Sequence, residues 1–145
     1  MPDTDKPPER VLGLDYGTRK IGLASGQVIT GGATALPALA CRNGTPDWDA
    51  IEQAVKEWQP QALVVGLPLN MDDSESELSA RARRFARQLE GRLGLPVWLV
   101  DERLSTREAR DRLGERYRGG PDPRVDSEAA ALVIESFYQD GGERP

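Results

Sequence analysis

The stretch that decides the fold runs from residue 11 to residue 25 and reads VLGLDYGTRKIGLAS. Two short apolar runs, residues 11–14 and 21–25, flank the turn-prone Gly17-Thr18-Arg19 and predict an antiparallel hairpin. Asp15 stands where the first of these strands ends. A carboxylate that closes a buried strand is costly unless it has a partner, so Asp15 is a candidate functional residue.

Outward from this hairpin, strands and helices are expected to alternate. Further strands are predicted between residues 29 and 36, at residues 62–66 and at residues 97–101. Helices are predicted to begin near Thr45-Pro46, after the capping pattern Ser74-x-x-Glu77, after Ser105-x-x-Glu108, and at Ser127. This order predicts an α/β fold with a mixed sheet, in which three antiparallel strands are followed by two that run parallel to the first.

Length and composition favour one intracellular domain. A chain of 145 residues favours a single core, and its single cysteine cannot form an internal disulfide. No apolar run reaches the roughly 20 residues of a membrane span. We expect residues 1–9 to be a disordered polar arm rather than a signal peptide, residues 10–140 to form the domain, and residues 141–145 to be a flexible tail. A cytoplasmic location is expected.

The charge is acidic overall but unevenly distributed. A net charge of −5 is far from the basic character of a nonspecific nucleic-acid binder. However, residues 81–92 carry five arginines and one acid, a local sum of +4, and residues 103–124 sum to +3. Either segment alone is typical of a solvated helix face. Together with the flexible loop at residues 119–123, which Arg118 and Arg124 flank, they are candidate substrate-binding surfaces.

Three carboxylates are placed for chemistry, because each lies at the end of a predicted element: Asp15, Glu102 and Asp126. The chain contains no histidine, so metal chemistry would depend mainly on carboxylates, and hard oxygen ligands suit Mg²⁺ or Mn²⁺. The carboxyl ends of strands at a topological switch point are where open α/β sheets bind ligands. Two structural alternatives stay open: Asp126 as a helix N-cap, and Glu102 in a surface ion pair with Arg103 or Arg107.

Four motifs in order carry a resemblance to a known family. They are LDYGTRKIGLA (residues 14–24), VVGLPLNMD (residues 64–72), DERLST (residues 101–106) and VDS (residues 125–127). The chain resembles the YqgF family, also called RuvX, over nearly all of residues 10–139. The resemblance implies a ribonuclease-H-like fold with a five-stranded sheet in the order 3-2-1-4-5, a divalent-metal site and nuclease action. Within that family, maturation of the 5′ end of pre-16S ribosomal RNA is the favoured role, and Holliday junction resolution is the alternative.

By position, the resemblance makes Asp15, Glu102 and Asp126 the catalytic, metal-binding triad with Mg²⁺ or Mn²⁺ as cofactor. Two departures are visible: Gly26 follows Ser25 where many members have Asp, and residues 65–70 lack the acid that ends strand four in related resolvases. Glu102 on the next strand is expected to substitute, and Asp101 is its alternative because strand alternation turns only one of the two towards the metal.

Nucleic acid is the expected partner, with precursor ribosomal RNA favoured and branched DNA as the alternative, for a chain that is a monomer or a homodimer. The residues placed to contact phosphates are Arg19, Lys20, Asn70, Arg103, Arg118 and Arg124. Asn70 has the alternative role of a turn residue.

Two other classes of protein stay open. Asp15-x-Gly17-Thr18 resembles an ATP phosphate loop, and the acidic chain would also suit a noncatalytic nucleic-acid-binding protein acting in transcription.

Overall fold

The computed structural model describes residues 8–17, 19–70, 72, 74–102 and 125–145, and for Val125 and Asp126 it describes the backbone only. The helix predicted after Ser105 and the loop at residues 119–123 therefore lie outside the described residues, as does most of the predicted N-terminal arm. In chain order the described elements are β1 (Arg10–Asp15), β2 (Lys20–Gln27), β3 (Gly32–Arg42), β4 (Thr45–Pro46), α1 (Trp48–Trp58), β5 (Ala62–Leu67), α2 (Glu77–Leu93), β6 (Val97–Asp101) and α3 (Val125–Asp140).

The sheet is mixed and its order is β4-β3-β2-β1-β5-β6. β1 pairs antiparallel with β2, and β2 with β3, whereas β5 runs parallel to both β1 and β6. The predicted hairpin and the predicted order of the five longer strands are therefore confirmed. The predicted number of strands is wrong, since the described sheet has six.

The additional strand, β4, belongs to a hairpin at a position where the sequence predicts the start of a helix. Asn43 and Gly44 both have positive φ, 53° and 80°, and join Arg42 to Thr45 as a two-residue turn. Pro46 therefore lies in β4 and not in a first helical turn. Helix α1 begins at Trp48, where the Asp47 side chain accepts a hydrogen bond from the Ala50 amide at 3.2 Å.

The start of α2 also differs from the predicted capping pattern. The cap is Ser76, whose hydroxyl accepts from the Ser79 amide at 3.2 Å while the Ser79 hydroxyl accepts from the Ser76 amide at 2.9 Å. Ser74 cannot serve as the cap because it closes the preceding turn. Its amide donates to the Asp72 carboxylate and its carbonyl accepts from the Asn70 amide.

Two hydrophobic cores cover the two faces of the sheet. α1 and α2 pack on one face, and α3 packs on the other. The approach of α3 requires glycine in β1, because a Cβ on Gly13 would lie 2.6 Å from Cγ1 of Ile134 and 2.8 Å from the Ala130 carbonyl. The Leu23 amide donates to the buried Ser127 hydroxyl at 3.1 Å, which fixes the first turns of α3 against β2.

The C-terminal residues contact the sheet. Leu99 and Glu143 exchange two backbone hydrogen bonds of 2.7 and 2.9 Å, and the Arg144 guanidinium lies 5.2 Å from the centre of the Trp98 ring. Flexibility of residues 141–145 in solution stays a prediction. No helix among the described residues is both long and apolar enough to cross a membrane.

Candidate active site

The parallel strands bring their carboxyl ends to one edge of the sheet. β1 ends at Asp15, β5 at Leu67 and β6 at Asp101. Leu67 is paired with Asp101, and the Glu102 amide donates to the Leu67 carbonyl at 3.2 Å, so the chain continues in line with β6 for one further residue. Asp15 and Glu102 therefore lie at the same edge, as the sequence analysis predicted.

The Glu102 side chain is buried on the α3 face of the sheet, with 4% of the residue exposed. Its carboxyl group lies over Gly66, where a Cβ would be 2.8 Å from Cδ of Glu102 and 3.1 Å from Cγ2 of Val133. Any side chain larger than glycine would displace the carboxylate. Asp101, by contrast, is exposed, so strand alternation turns one acid of the pair inward, and that acid is Glu102.

Asp15 and Glu102 interact with each other. The pKa of Glu102 is raised to about 10, first because burial disfavours its charged form and then because of the charge of Asp15, a hydrogen bond with Asp15 and the charge of Asp101. The Glu102 Oε2 atom is buried and, among the described groups, has no hydrogen-bond partner. Two close carboxyl groups cannot readily both ionise unless a cation is present.

This arrangement fits a divalent cation. The pair supplies hard oxygen donors, and the orphaned Oε2 atom is a buried acceptor that a metal ion could satisfy. A bound cation would also reverse the electrostatic cost of charging both groups. Within the described side chains no three histidine, cysteine or carboxylate groups form a metal-binding cluster.

The backbone of Asp126 lies in the first turn of α3, since that helix begins at Val125. The next residue, Ser127, is bonded to Leu23, which is paired with Leu14 one position before the end of β1. This places the backbone at residue 126 close to the carboxyl edge of the sheet. The side chain of Asp126 lies outside the described part of the structure, and its role as a third ligand stays a prediction.

The predicted phosphate-contacting residues are only partly described. Arg19 lies in the connection between β1 and β2, and Lys20 is the first residue of β2; both are exposed at the same edge as Asp15. The Asn70 side-chain amide donates to the Ser74 hydroxyl at 3.0 Å, which is the turn role given as its alternative. Arg103, Arg118 and Arg124 lie outside the described residues, and phosphate contacts by all six stay predictions.

Gly66 was missed as a site residue. The sequence does contain a signal, because an isolated glycine in an otherwise apolar buried strand often marks a close approach by another group. What the sequence could not show is which group approaches, since Gly66 and Glu102 come together only through the pairing of β5 with β6.

A family model and named relatives each match most of this chain. A family model described as "RuvX: Holliday junction resolvase" matches residues 9–140. A relative in Alcanivorax borkumensis, named "Putative pre-16S rRNA nuclease", is 58% identical over 128 residues, covering 88% of this chain and 94% of the relative. A relative of the same name in Citrobacter koseri is 53% identical over 133 residues, covering 90% and 96%.

Among solved structures, T. thermophilus RuvC in complex with a Holliday junction substrate matches with a TM-score of 0.52 at 17% identity. The match covers 94% of this chain and 99% of that chain. At this identity the likeness shows the fold, which is the ribonuclease-H-like fold that the sequence resemblance implied, with β4 as an additional strand.

Proposed function

Because this chain belongs to the RuvX family, we propose that it is a metal-dependent nuclease that hydrolyses phosphodiester bonds in the 5′-end maturation of pre-16S ribosomal RNA. The observation that carries the proposal is the buried Glu102 carboxyl group, held over Gly66 and against Asp15 at the carboxyl edge of the sheet. The names of the relatives that match most of the chain support the choice of RNA.

The proposed ligands of Mg²⁺ or Mn²⁺ are Asp15, Glu102 and Asp126. When bound, such an ion would supply an activated water and stabilise the leaving oxygen of the phosphodiester. The part played by the chain is positioning. The packing of Glu102 on Gly66 fixes its carboxylate and excludes water from one side of the site. Arg19 and Lys20, exposed at the same edge, are proposed to hold the substrate phosphates by charge and hydrogen bonds.

The proposed place of action is the cytoplasm. A second candidate function is resolution of Holliday junctions, which the description of the matching family model favours. Both reactions cleave phosphodiesters and would use the same carboxylates, so the substrate distinguishes them. Noncatalytic nucleic-acid binding is the outcome if no substrate is cleaved.

The test is a cleavage assay with purified protein and Mn²⁺ on precursor ribosomal RNA, unstructured single strands and four-way DNA junctions. Asp15→Asn, prepared in the same way, reports contaminating nucleases. We expect the wild-type protein to cleave the precursor RNA and the variant to be inactive. Preferential cleavage of junctions would establish the second candidate. Equal activity of the wild type and Asp15→Asn on every substrate would contradict the nuclease proposal.

A further inference from the structure

A basic cleft lies on the face of the sheet opposite the carboxylates. It has a volume of about 420 Å³ and runs between α2 and the turn that joins β3 to β4. This volume is within the range of roughly 300–1,000 Å³ that is typical of ligand sites. Tyr16 belongs to its lining and directly follows Asp15, so the cleft begins at the edge where the carboxylates lie.

Among the described residues, the cleft is lined by three arginines, Arg81, Arg84 and Arg92, and by no acidic side chain. Their spacing places them along one side of α2, over a length of about 16 Å at 1.5 Å per residue. Arg81 makes an ion pair of 2.9 Å with Glu77, but both side chains are substantially exposed and such pairs contribute little. Arg84 and Arg92 have no carboxylate partner within the described part of the chain.

Arg92 is already held in position for an anion. Its guanidinium carbon lies 4.3 Å from the centre of the Trp48 ring. Stacking uses the face of the guanidinium and leaves the in-plane N–H donors available for a phosphate. Trp48 packs against Phe85, and their ring centres are 5.9 Å apart. Phe85 in turn packs against Tyr16, with 5.1 Å between the ring centres. These three packed rings, Trp48, Phe85 and Tyr16, form the aromatic floor of the cleft. Because Arg92 is already stacked on Trp48, it would lose less conformational entropy on binding an anion.

The opposite wall of the cleft is fixed as well. The Tyr16 hydroxyl donates to the Gly44 carbonyl at 2.7 Å. A Cβ on Gly44 would lie 3.3 Å from the Tyr16 hydroxyl and 3.5 Å from Nη1 of Arg81, so the turn packs closely on both. Burial raises the pKa of Tyr16, and the charges of Arg81 and Arg84 act in the opposite direction.

We propose that this cleft binds the phosphodiester backbone of a single-stranded segment of the substrate, while the adjoining segment crosses the carboxyl edge to the acidic site. The proposal rests on the nuclease function proposed above and assigns that nuclease a substrate-binding surface away from its metal ligands. Positively charged grooves with aromatic side chains are the usual means of binding single strands without sequence preference. The arginines on α2 thereby provide a basic surface on a chain with a net charge of −5.

The test compares two arginines on the same helix. Arg84 and Arg87 are both exposed and three residues apart, but Arg84 lines the cleft and Arg87 does not. Binding of a fluorescent single-stranded RNA is measured by anisotropy in EDTA, so that metal-dependent cleavage cannot occur, over a series of salt concentrations. Circular dichroism and thermal melting establish that each variant is folded.

We expect Arg84→Ala to weaken binding by roughly fivefold and to lower the salt slope by about 0.7, the value for one lost phosphate contact to a single strand. The double variant Arg84→Ala/Arg92→Ala should lower the slope by about 1.4. Arg87→Ala should change neither quantity. Equal losses for Arg84→Ala and Arg87→Ala, or no loss for Arg84→Ala, would overturn the proposal.

Two further measurements separate this proposal from the nuclease function. In Mn²⁺, Arg84→Ala should raise KM, whereas Asp15→Asn should lower kcat and keep its RNA affinity in EDTA. If the wild type cleaves no substrate, the nuclease function is refuted. If Arg84→Ala nevertheless binds RNA more weakly than the wild type, the binding surface is still established. If a mononucleotide binds through Arg84 while single-stranded RNA does not, the cleft is a small-anion site and the proposal is wrong.

Discussion

The two faces of the sheet differ most where they meet at its carboxyl edge. On the α3 face, a buried carboxyl group lies against a second one and is enclosed by glycine and valine. On the α2 face, exposed guanidinium groups line an open cleft over an aromatic floor. Successive residues at the end of β1 serve the two faces, with Asp15 interacting with Glu102 and Tyr16 lining the cleft. The comparison shows that the end of one strand, β1, can border an acidic site on one face of the sheet and a basic surface on the other.

The largest expected effect is on the acidic face. Asp15→Asn removes the charge of a proposed metal ligand at nearly constant volume. Loss of a residue that only hydrogen-bonds to a metal ligand costs about 10–100-fold in activity, so we expect metal-dependent cleavage by Asp15→Asn to fall by more than about 100-fold. Thermal melting should show a folded protein. Activity within a factor of a few of wild type would remove Asp15 from the metal site.

The next variants compare the two neighbouring acids at the end of β6. Glu102→Gln should cost far more activity than Asp101→Asn, because Glu102 is buried over Gly66 and Asp101 is exposed. Both changes replace a carboxyl group by an amide of nearly the same size, so each is the control for the other. The reverse ranking would assign the metal-binding role to Asp101.

Gly66→Ala tests the support of the acidic site without altering a charge. The added Cβ would lie 2.8 Å from Cδ of Glu102, so the carboxylate must move. A displacement of this order should lower kcat by about 10–100-fold. The matched control is Gly91→Ala in α2, where nothing lies within 4 Å and the change should stabilise the helix by about 0.5–1 kcal/mol. Equal activities for the two variants would show that Glu102 does not depend on Gly66.

A smaller effect is expected on stability in the absence of metal. Because burial and the neighbouring Asp15 raise the pKa of Glu102 in the folded protein, the unfolded chain releases this proton at lower pH than the folded one. The free energy of unfolding should therefore fall as the pH rises above about 4.5, by at most about 1.4 kcal/mol per pH unit from this group. Glu102→Gln removes this dependence.

The measurement is urea unfolding of the wild type and Glu102→Gln in EDTA at several pH values. The difference between their free energies of unfolding should grow from pH 5 to pH 8 in favour of the variant. Parallel pH profiles for the two proteins would show that Glu102 ionises normally in the fold.

Much of the fold could be predicted because its signals are local. The apolar runs around Asp15 and the turn between them indicated the first hairpin, and the helical connections after β3 indicated the parallel strands. β4 also had a local signal, since Asn43-Gly44 is the dipeptide most typical of a two-residue hairpin turn. The helix prediction rested instead on Pro46, which also suits the first turn of a helix.

The site was less predictable because it depends on contacts between distant residues. That Glu102 rather than Asp101 points inward follows from the register of β6 on β5, and the sequence alone left that choice open. The cleft likewise requires α2 to pack beside the turn after β3. The sequence showed the excess of arginines at residues 81–92 but could not show that three of them line one cleft together with aromatic side chains.

The central claim is that the Asp15 and Glu102 pair is a divalent-metal site, and calorimetric titration with Mn²⁺ tests it most directly. We predict that the wild type and Asp101→Asn bind Mn²⁺ with similar affinity, and that Asp15→Asn and Glu102→Gln each bind it at least about tenfold more weakly. Equal affinity for Mn²⁺ in the wild type, Asp15→Asn and Glu102→Gln would contradict the account.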